Sequence, residues 1–133
     1  MSRKVEPAGW ARPSGYSNGV AASGEILFIS GQVAWDESQH IVSPDFVTQA
    51  RRALENVVSV VEAWGGTSAD IMRLTWYVTD LTLYRNTTAA LGVVYRDVMG
   101  GHYPAMTLVQ VAGLVDDGAL VEIEATAVLP ERK

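Results

Sequence analysis

The octet VEIEATAV, residues 121–128, places two carboxylates on the same side of a predicted strand. Its apolar residues alternate with Glu122, Glu124 and Thr126, and this period of two is typical of a half-buried β-strand. A carboxylate in such a position needs water, a cation or a proton. Glu122 is therefore the first candidate for general acid or base chemistry, with a polar position on a sheet edge or barrel wall as its alternative. Glu124 is interpreted as a residue of a water-filled lumen.

The segment GGHYPAM, residues 100–106, and the end of the second predicted strand hold further candidates. His102 can exchange a proton near neutral pH, although a surface-loop histidine is the plainer interpretation. Tyr103 could supply a phenol or a flat wall, and Trp35 in VAWD is the best aromatic candidate for ligand contact. His40 lies in a polar connection and is expected to be exposed. The two histidines are far apart and cysteine is absent, so we predict no metal and no cofactor.

Length and charge limit the classes of function. The chain has 133 residues and a net charge of −5, which fits one domain spanning 1–133. Its ten basic residues are scattered, so nucleic acid is not expected as the main partner. No apolar stretch resembles a signal peptide or reaches membrane-spanning length. We therefore expect a soluble, cytoplasmic protein without a membrane partner.

Periodicity and turn residues predict the elements that position these candidates. Residues 1–15 are interpreted as an extended lead-in to a core over 16–129. Strands are predicted over 16–22 and 26–33, joined by a hairpin turn at 23–25, and then over 71–80, 105–114 and 120–129. Gly31 suggests a bulge or a close backbone approach. Helices are predicted from the Ser43-Pro44-Asp45 cap to Gly65 and from Leu83 to Met99.

The order β-β-α-β-α-β-β predicts an α+β fold with two helices on one face of a mixed sheet. Pairs connected by helices are expected to be parallel, and the terminal hairpins antiparallel. The segments ILFIS and TLVQVAGL are apolar on both faces, and two helices cover only one. We expect another copy of the chain to cover the second face, which makes the protein an obligate homo-oligomer.

Six segments, in this order and at this spacing, resemble the RidA (YjgF) family. They are GYSNGV, FISGQVAWD, QARRALENVVSVVEAWGG, RLTWYVTDL, YPAMTLVQVAGL and VEIEATAV. The resemblance runs from about residue 15 to residue 129, which is almost the whole chain. It implies a chorismate-mutase-like fold, a homotrimer whose sheets form a central barrel, and three clefts between subunits that bind small metabolites. Active members hydrolyse enamines and imines such as 2-aminoacrylate to a ketone and ammonia.

The resemblance also implies roles for individual positions. Tyr16 corresponds to a tyrosine that lines the cleft, Ser30 to the serine of the SGQ motif, and Glu122 to a glutamate that holds the attacking water. Met106 stands where active members carry an arginine that binds the carboxylate of the substrate. Leu108 occupies a position that is often cysteine. An asparagine that is common in the second helix aligns with Gly92.

A thioether cannot replace a bidentate guanidinium. We therefore expect poor activity on 2-aminoacrylate and 2-iminobutanoate, and a preference for an enamine, an imine or a related metabolite without a free carboxylate. Glu122 would position water there, and its pKa would be raised by desolvation. The alternative is a non-catalytic trimer that binds a metabolite in the same clefts. A ribonuclease is not expected as the main function, because the chain is acidic.

Overall fold

The computed structural model describes residues 2–131. Its elements in chain order are β1 (Ser2–Val5), β2 (Gly19–Ala22), β3 (Glu25–Gln32), α1 (Phe46–Ala63), β4 (Ile71–Val78), α2 (Leu81–Asn86), α3 (Thr88–Met99), β5 (Ala105–Gln110) and β6 (Val121–Leu129). A single turn of 3-10 helix, Ser68–Asp70, precedes β4.

Helix α1 follows the cap and the periodicity that the sequence predicts. The Asp45 carboxylate accepts a hydrogen bond of 2.9 Å from the backbone amide of Thr48, which satisfies one of the free N–H groups of the first turn. Residues at helical spacing, such as Ala50, Leu54 and Val57, are fully buried. The helix thus covers one face of the sheet with a continuous apolar stripe.

The second helical segment is divided, whereas the sequence predicts one helix from Leu83 to Met99. The Asp80 carboxylate caps α2 through the amides of Thr82 and Leu83, so the helix begins two residues early. Thr87 then leaves helical geometry, with φ −123° and ψ 16°, and its hydroxyl donates to the Leu83 carbonyl at 2.7 Å. A threonine that bonds to the preceding turn commonly bends a helix.

The main sheet has the strand order β3-β6-β4-β5. Strand β6 is antiparallel to both neighbours, and β4 is parallel to β5. The mixed sheet and the parallel pair joined by a helix are as predicted. The expected hairpin between the last two strands is wrong, because β6 lies between β3 and β4 instead of beside β5. Its inward residues Val121, Ile123, Ala125 and Ala127 are all buried, which suits a central strand.

The first predicted hairpin is also wrong. Strand β2 pairs with β1, within the segment interpreted as a lead-in, and β3 pairs with β6. Gly24 separates the two strands at φ 146°, and a Cβ there would lie 2.1 Å from the Leu129 carbonyl oxygen. The chain therefore passes directly against the end of β6, where only glycine fits, and β3 starts in the main sheet.

The helices pack on one face of this sheet, which confirms the predicted α+β, chorismate-mutase-like class. Core residues from α1, α3 and the strands, such as Leu54, Leu74 and Ile123, are fully buried between the layers. The opposite face, which we call the open face, carries large apolar side chains in contact with solvent. Phe28 is 79% exposed and Ile26 is 55% exposed. An apolar surface of this kind marks an interaction site, and the homotrimer remains a prediction.

Candidate functional site

The sheet register separates the candidate residues into two groups. Glu122 pairs with Tyr77, and Thr75 pairs with both Glu124 and Thr107, so these side chains share the open face. Met106 pairs with Leu74 and Leu108 with Trp76, and both partners are buried beneath the helices. Within one protomer, Glu122 and Met106, which the resemblance assigns to one site, therefore lie on opposite faces.

Glu122 lies over a bulge in the neighbouring strand. The pairing of β3 with β6 shifts between Ile29 and Gln32, and a Cβ at Gly31 would lie 1.9 Å from Oε2 of Glu122. The sequence predicted a bulge or a close approach here, and the structure shows both. Because Gly31 has no side chain, the carboxylate can rest directly on the backbone of β3. Ser30, on the same bulge, is exposed, and its hydroxyl accepts from Nε2 of Gln32 at 3.5 Å.

No cation neutralises Glu122 within the described chain. None of the ion pairs found in residues 2–131 includes it. Burial raises the pKa of its carboxyl, and the negative charges of Asp116 and Glu124 raise it further. A carboxyl group of this kind can accept and return a proton closer to neutral pH than an ordinary glutamate.

Glu124 has a different environment. The hydroxyl of Tyr77 donates a hydrogen bond of 2.6 Å to Oε1 of Glu124, and this bond is the main reason why the pKa of Tyr77 is raised. The two carboxylates of VEIEATAV are thus not equivalent. Glu124 is held by a phenol, whereas Glu122 is free to bind water or a ligand.

A cavity of about 420 Å³ opens beneath α2 and α3, on the face opposite Glu122. We call it the helix-side cavity. Its wall is formed by Ser14, Gly15, Trp76, Tyr84, Thr88, Leu91, Gly92, Tyr95, Arg96, Tyr103, Met106 and Leu108. Three of the residues singled out in the sequence, namely Tyr103, Met106 and Leu108, therefore share one pocket. Its volume is within the range of small-molecule sites, about 300–1,000 Å³.

Two stacked tyrosines form a rigid part of this wall. The rings of Tyr95 and Tyr103 lie 5.2 Å apart at an angle of 14°, and the Tyr95 hydroxyl donates to the His102 carbonyl at 2.9 Å. Burial raises the pKa of Tyr95, so it remains a neutral phenol. His102 itself is not among the lining residues. Its Nε2 lies 2.6 Å from the Ile71 carbonyl, which makes that nitrogen the donor and gives the ring a structural role.

Arg96 brings a guanidinium to the helix-side cavity. It lies one turn after Gly92, where a Cβ would be 3.7 Å from Nη1 of Arg96. Its neighbour Asp97 is paired with Arg51 at 2.8 Å, and Arg96 takes part in none of the ion pairs of residues 2–131. The helix-side cavity thus has a guanidinium on its wall, although Met106 itself carries no charge.

Tyr16 and Trp35 lie outside the helix-side cavity. Tyr16, 40% exposed, lines an adjoining groove that shares Ser14, Gly15 and Tyr103 with it. Trp35 lines a separate depression against α1, and its Nε1 donates to Oε1 of Gln32 at 3.3 Å. The structure therefore brings Tyr16 near the cavity and keeps Trp35 away from it. His40 is exposed, as expected.

Comparisons with known proteins agree with the geometry. The sequence profile of the Endoribonuclease L-PSP family matches residues 9–129. A RutC family protein of Pyrococcus horikoshii is 37% identical over 113 residues, 84% of this chain and 85% of that protein. The chain belongs to the RidA (YjgF) family.

Two solved structures show the same fold. The conserved Rid family protein YyfB of Yersinia pestis, whose function is described as unknown, superposes with a TM-score of 0.85 at 33% identity. That match covers 96% of this chain and 98% of the other. The YjgF gene product of E. coli gives a TM-score of 0.67 at 34% identity, covering 85% and 87% of the two chains.

This RidA family member departs from the sequence expectations mainly at Arg96 and Trp76. Arg96 was not considered, although its spacing of four residues from Gly92 places both on one helical face. Trp76 was not singled out from the sequence as a site residue. It packs under the helices, 4% exposed, and lines the helix-side cavity. Within residues 2–131, no helix is long and apolar enough to cross a membrane.

Proposed function

We propose that the protein is a small-molecule hydrolase or deaminase of the RidA type, acting on an enamine, an imine or a related metabolite. It would work as a cytoplasmic homotrimer with its sites between subunits, and Glu122 would position the attacking water. One observation carries this proposal: the residues that the family places in a single site lie on opposite faces of one protomer. Glu122 and Ser30 are on the open face, and Met106 and Leu108 are in the helix-side cavity.

Assembly explains how these groups can share one site. Strand β5, which carries Met106 and Leu108, is at the edge of the sheet, with only β4 beside it in the main sheet. The open face offers Phe28 and Ile26 as an apolar contact surface. If the open face of one copy packs against the β5 edge of another, Glu122 of the first reaches the cavity of the second.

The chemistry of Glu122 supports a hydrolytic role. Hydrolysis of an imine requires a water that is deprotonated as it attacks the C=N carbon, and the nitrogen must gain a proton before it leaves as ammonia or amine. A glutamate with a raised pKa can accept the proton from water and deliver it to the nitrogen. Glu122 has this property and carries no competing ion pair in residues 2–131.

The substrate should differ from that of members with an arginine on β5. Met106 offers no donor at that position, so we expect poor turnover of 2-iminobutanoate. The further preference for a ligand without a free carboxylate follows from an acid at Glu122 with no guanidinium at Met106. Arg96 provides a guanidinium at the helix-side cavity, so the altered specificity does not exclude carboxylates.

The test compares Glu122→Gln with the wild type on a panel of imines and enamines that are generated in solution, and follows ammonia or amine release. Loss of turnover with retained ligand binding supports the proposal. Glu124→Gln is the matched control, because Gln still accepts the Tyr77 hydrogen bond. Burial, the main cause of the raised pKa of Glu122, remains in this variant, so it should keep most of the turnover that Glu122→Gln loses. If the wild type binds ligands in the cleft and releases them all unchanged, the protein is a non-catalytic metabolite-binding trimer instead.

RNA cleavage is not favoured, although the family profile carries an endoribonuclease name. The chain has ten basic and fifteen acidic residues, and RNA binding depends on a concentrated positive surface.

A further inference from the structure

We propose that Arg96 and the indole N–H of Trp76 form a carboxylate-binding subsite in the helix-side cavity, for an acid that carries an aromatic or other bulky apolar group. This inference rests on the proposed function, because it describes ligand recognition in the same cleft. It assigns the anionic group of the ligand to α3 and β4, and not to the Met106 position on β5.

Arg96 is available to an incoming anion. The acidic neighbour that could neutralise it, Asp97, is already bonded to Arg51 at 2.8 Å. Gly92, one turn earlier on the same helix, has no side chain, and a Cβ there would lie 3.7 Å from Nη1 of Arg96. The position that aligns with the asparagine of the family is therefore next to the guanidinium of Arg96.

Trp76 provides a second observation, independent of Arg96, that points to a ligand in this cavity. Only 4% of the residue is exposed, and among residues 2–131 its buried Nε1 has no hydrogen-bond partner. Buried polar groups in folded proteins are nearly always paired. Since Trp76 lines the helix-side cavity, an acceptor oxygen of a bound molecule would supply the missing partner.

The other residues that line the helix-side cavity determine which apolar group the bound acid can carry. Met106, Leu108 and Leu91 are apolar, and the stacked rings of Tyr95 and Tyr103 present a flat surface. A cavity of about 420 Å³ is in the range that holds ligands larger than a four-carbon acid. Arg96 is exposed to solvent, so salt screens its attraction for the carboxylate, and burial of the apolar group against these walls adds to the affinity.

The experiment measures binding of a matched pair of probes, 3-phenylpropanoate and its uncharged analogue 3-phenylpropanamide, by titration calorimetry on the intact protein. We expect the carboxylate to bind at least tenfold more tightly, and its affinity to fall as salt is added. Arg96→Gln should remove that preference, whereas Arg96→Lys should keep part of it, because the charge remains and the planar fork is lost. Arg85→Gln is the matched control, since Arg85 is an exposed arginine of α2 outside the cavity lining.

A second measurement reports on Trp76 directly. The four tryptophans give four indole N–H signals in a nitrogen–proton correlation spectrum, and Trp76→Phe identifies one of them by its loss. That signal should move on addition of 3-phenylpropanoate in the direction of a stronger hydrogen bond. A signal that stays in place while the acid binds would overturn the role of Trp76.

Other outcomes separate this inference from the proposed function. If 3-phenylpropanoate fails to bind the wild type, or binds Arg96→Gln equally well, the carboxylate subsite is wrong, even when Glu122-dependent turnover is observed. If binding depends on Arg96 but no imine or enamine is hydrolysed, the subsite stands and the hydrolase proposal fails.

Discussion

Phe28 should contribute more than any other single side chain to the proposed assembly, since 79% of its surface is exposed on the open face. Full burial of a phenylalanine side chain contributes about 1.5–3 kcal/mol, so covering the exposed part would contribute about 1–2.5 kcal/mol per protomer. Over three protomers this amounts to about 3–7.5 kcal/mol. Phe28→Glu would remove this term and place a carboxylate in the proposed contact surface, which adds a desolvation cost. Because about 1.4 kcal/mol corresponds to a tenfold change in an equilibrium constant, association should weaken by several orders of magnitude.

Sedimentation velocity at micromolar concentration provides the assay. The wild type should sediment as a trimer, Phe28→Glu as a folded monomer, and the apolar variant Phe28→Leu mostly as a trimer. Val93→Glu is the control, because Val93 is 50% exposed but lies on α3 and not on the open face. A monomeric wild type, or a trimer that persists in Phe28→Glu, would refute the proposed role of the open face.

Three further predictions concern the site. Met106→Arg should raise the catalytic efficiency toward 2-iminobutanoate at least tenfold by restoring a guanidinium on β5, and an unchanged or lower kcat/KM would contradict this. Gly31→Ala should abolish turnover while lowering thermal stability only slightly, because its Cβ would occupy the position of the flexible Glu122 carboxylate; wild-type activity in this variant would exclude Glu122 as the water-holding group. Glu122→Gln should be more stable than the wild type at pH 7, by less than about 1 kcal/mol for a partly exposed carboxyl. A raised folded pKa means that the native state binds more protons, so wild-type stability falls as pH rises from the ordinary value of 4.5 through the folded pKa. Urea unfolding of both proteins between pH 3 and 8 should show the difference vanish below pH 4, and a constant difference would disagree with the raised pKa.

The sequence predicted local structure well where a local signal decides it. The Asp45 cap, the apolar period of α1, the alternation in β6 and the two-residue register of Glu122 and Glu124 all depend on neighbours along the chain. The bulge at Gly31 was also predicted, because glycine in a strand marks such a site. The split at Thr87 was missed, since a hydroxyl that bonds to the preceding turn leaves no clear pattern in the sequence.

Strand pairing was predicted less well. Both terminal hairpins were expected from short connections, yet β2 pairs with β1, and β6 lies between β3 and β4. The pairing of strands depends on which strands can place their apolar side chains against the helices. The strands that compete for these places are far apart in the chain, and paired residues such as Glu25 and Leu129 are about a hundred positions apart.

By itself, the sequence determined the family, the α+β class, the acid at position 122 and the methionine at position 106, because each is a matter of residue type at a fixed place in the chain. Only the tertiary structure showed that Glu122 and Met106 face opposite sides of the sheet, that Arg96 and Met106 line one cavity, and that the Trp76 indole N–H is buried without a partner among residues 2–131. The first property follows from the register of the strands, and the other two follow from side chains that separate elements bring together. Contacts between distant segments are decided by the fold as a whole, since no local pattern of residues encodes which side chains meet.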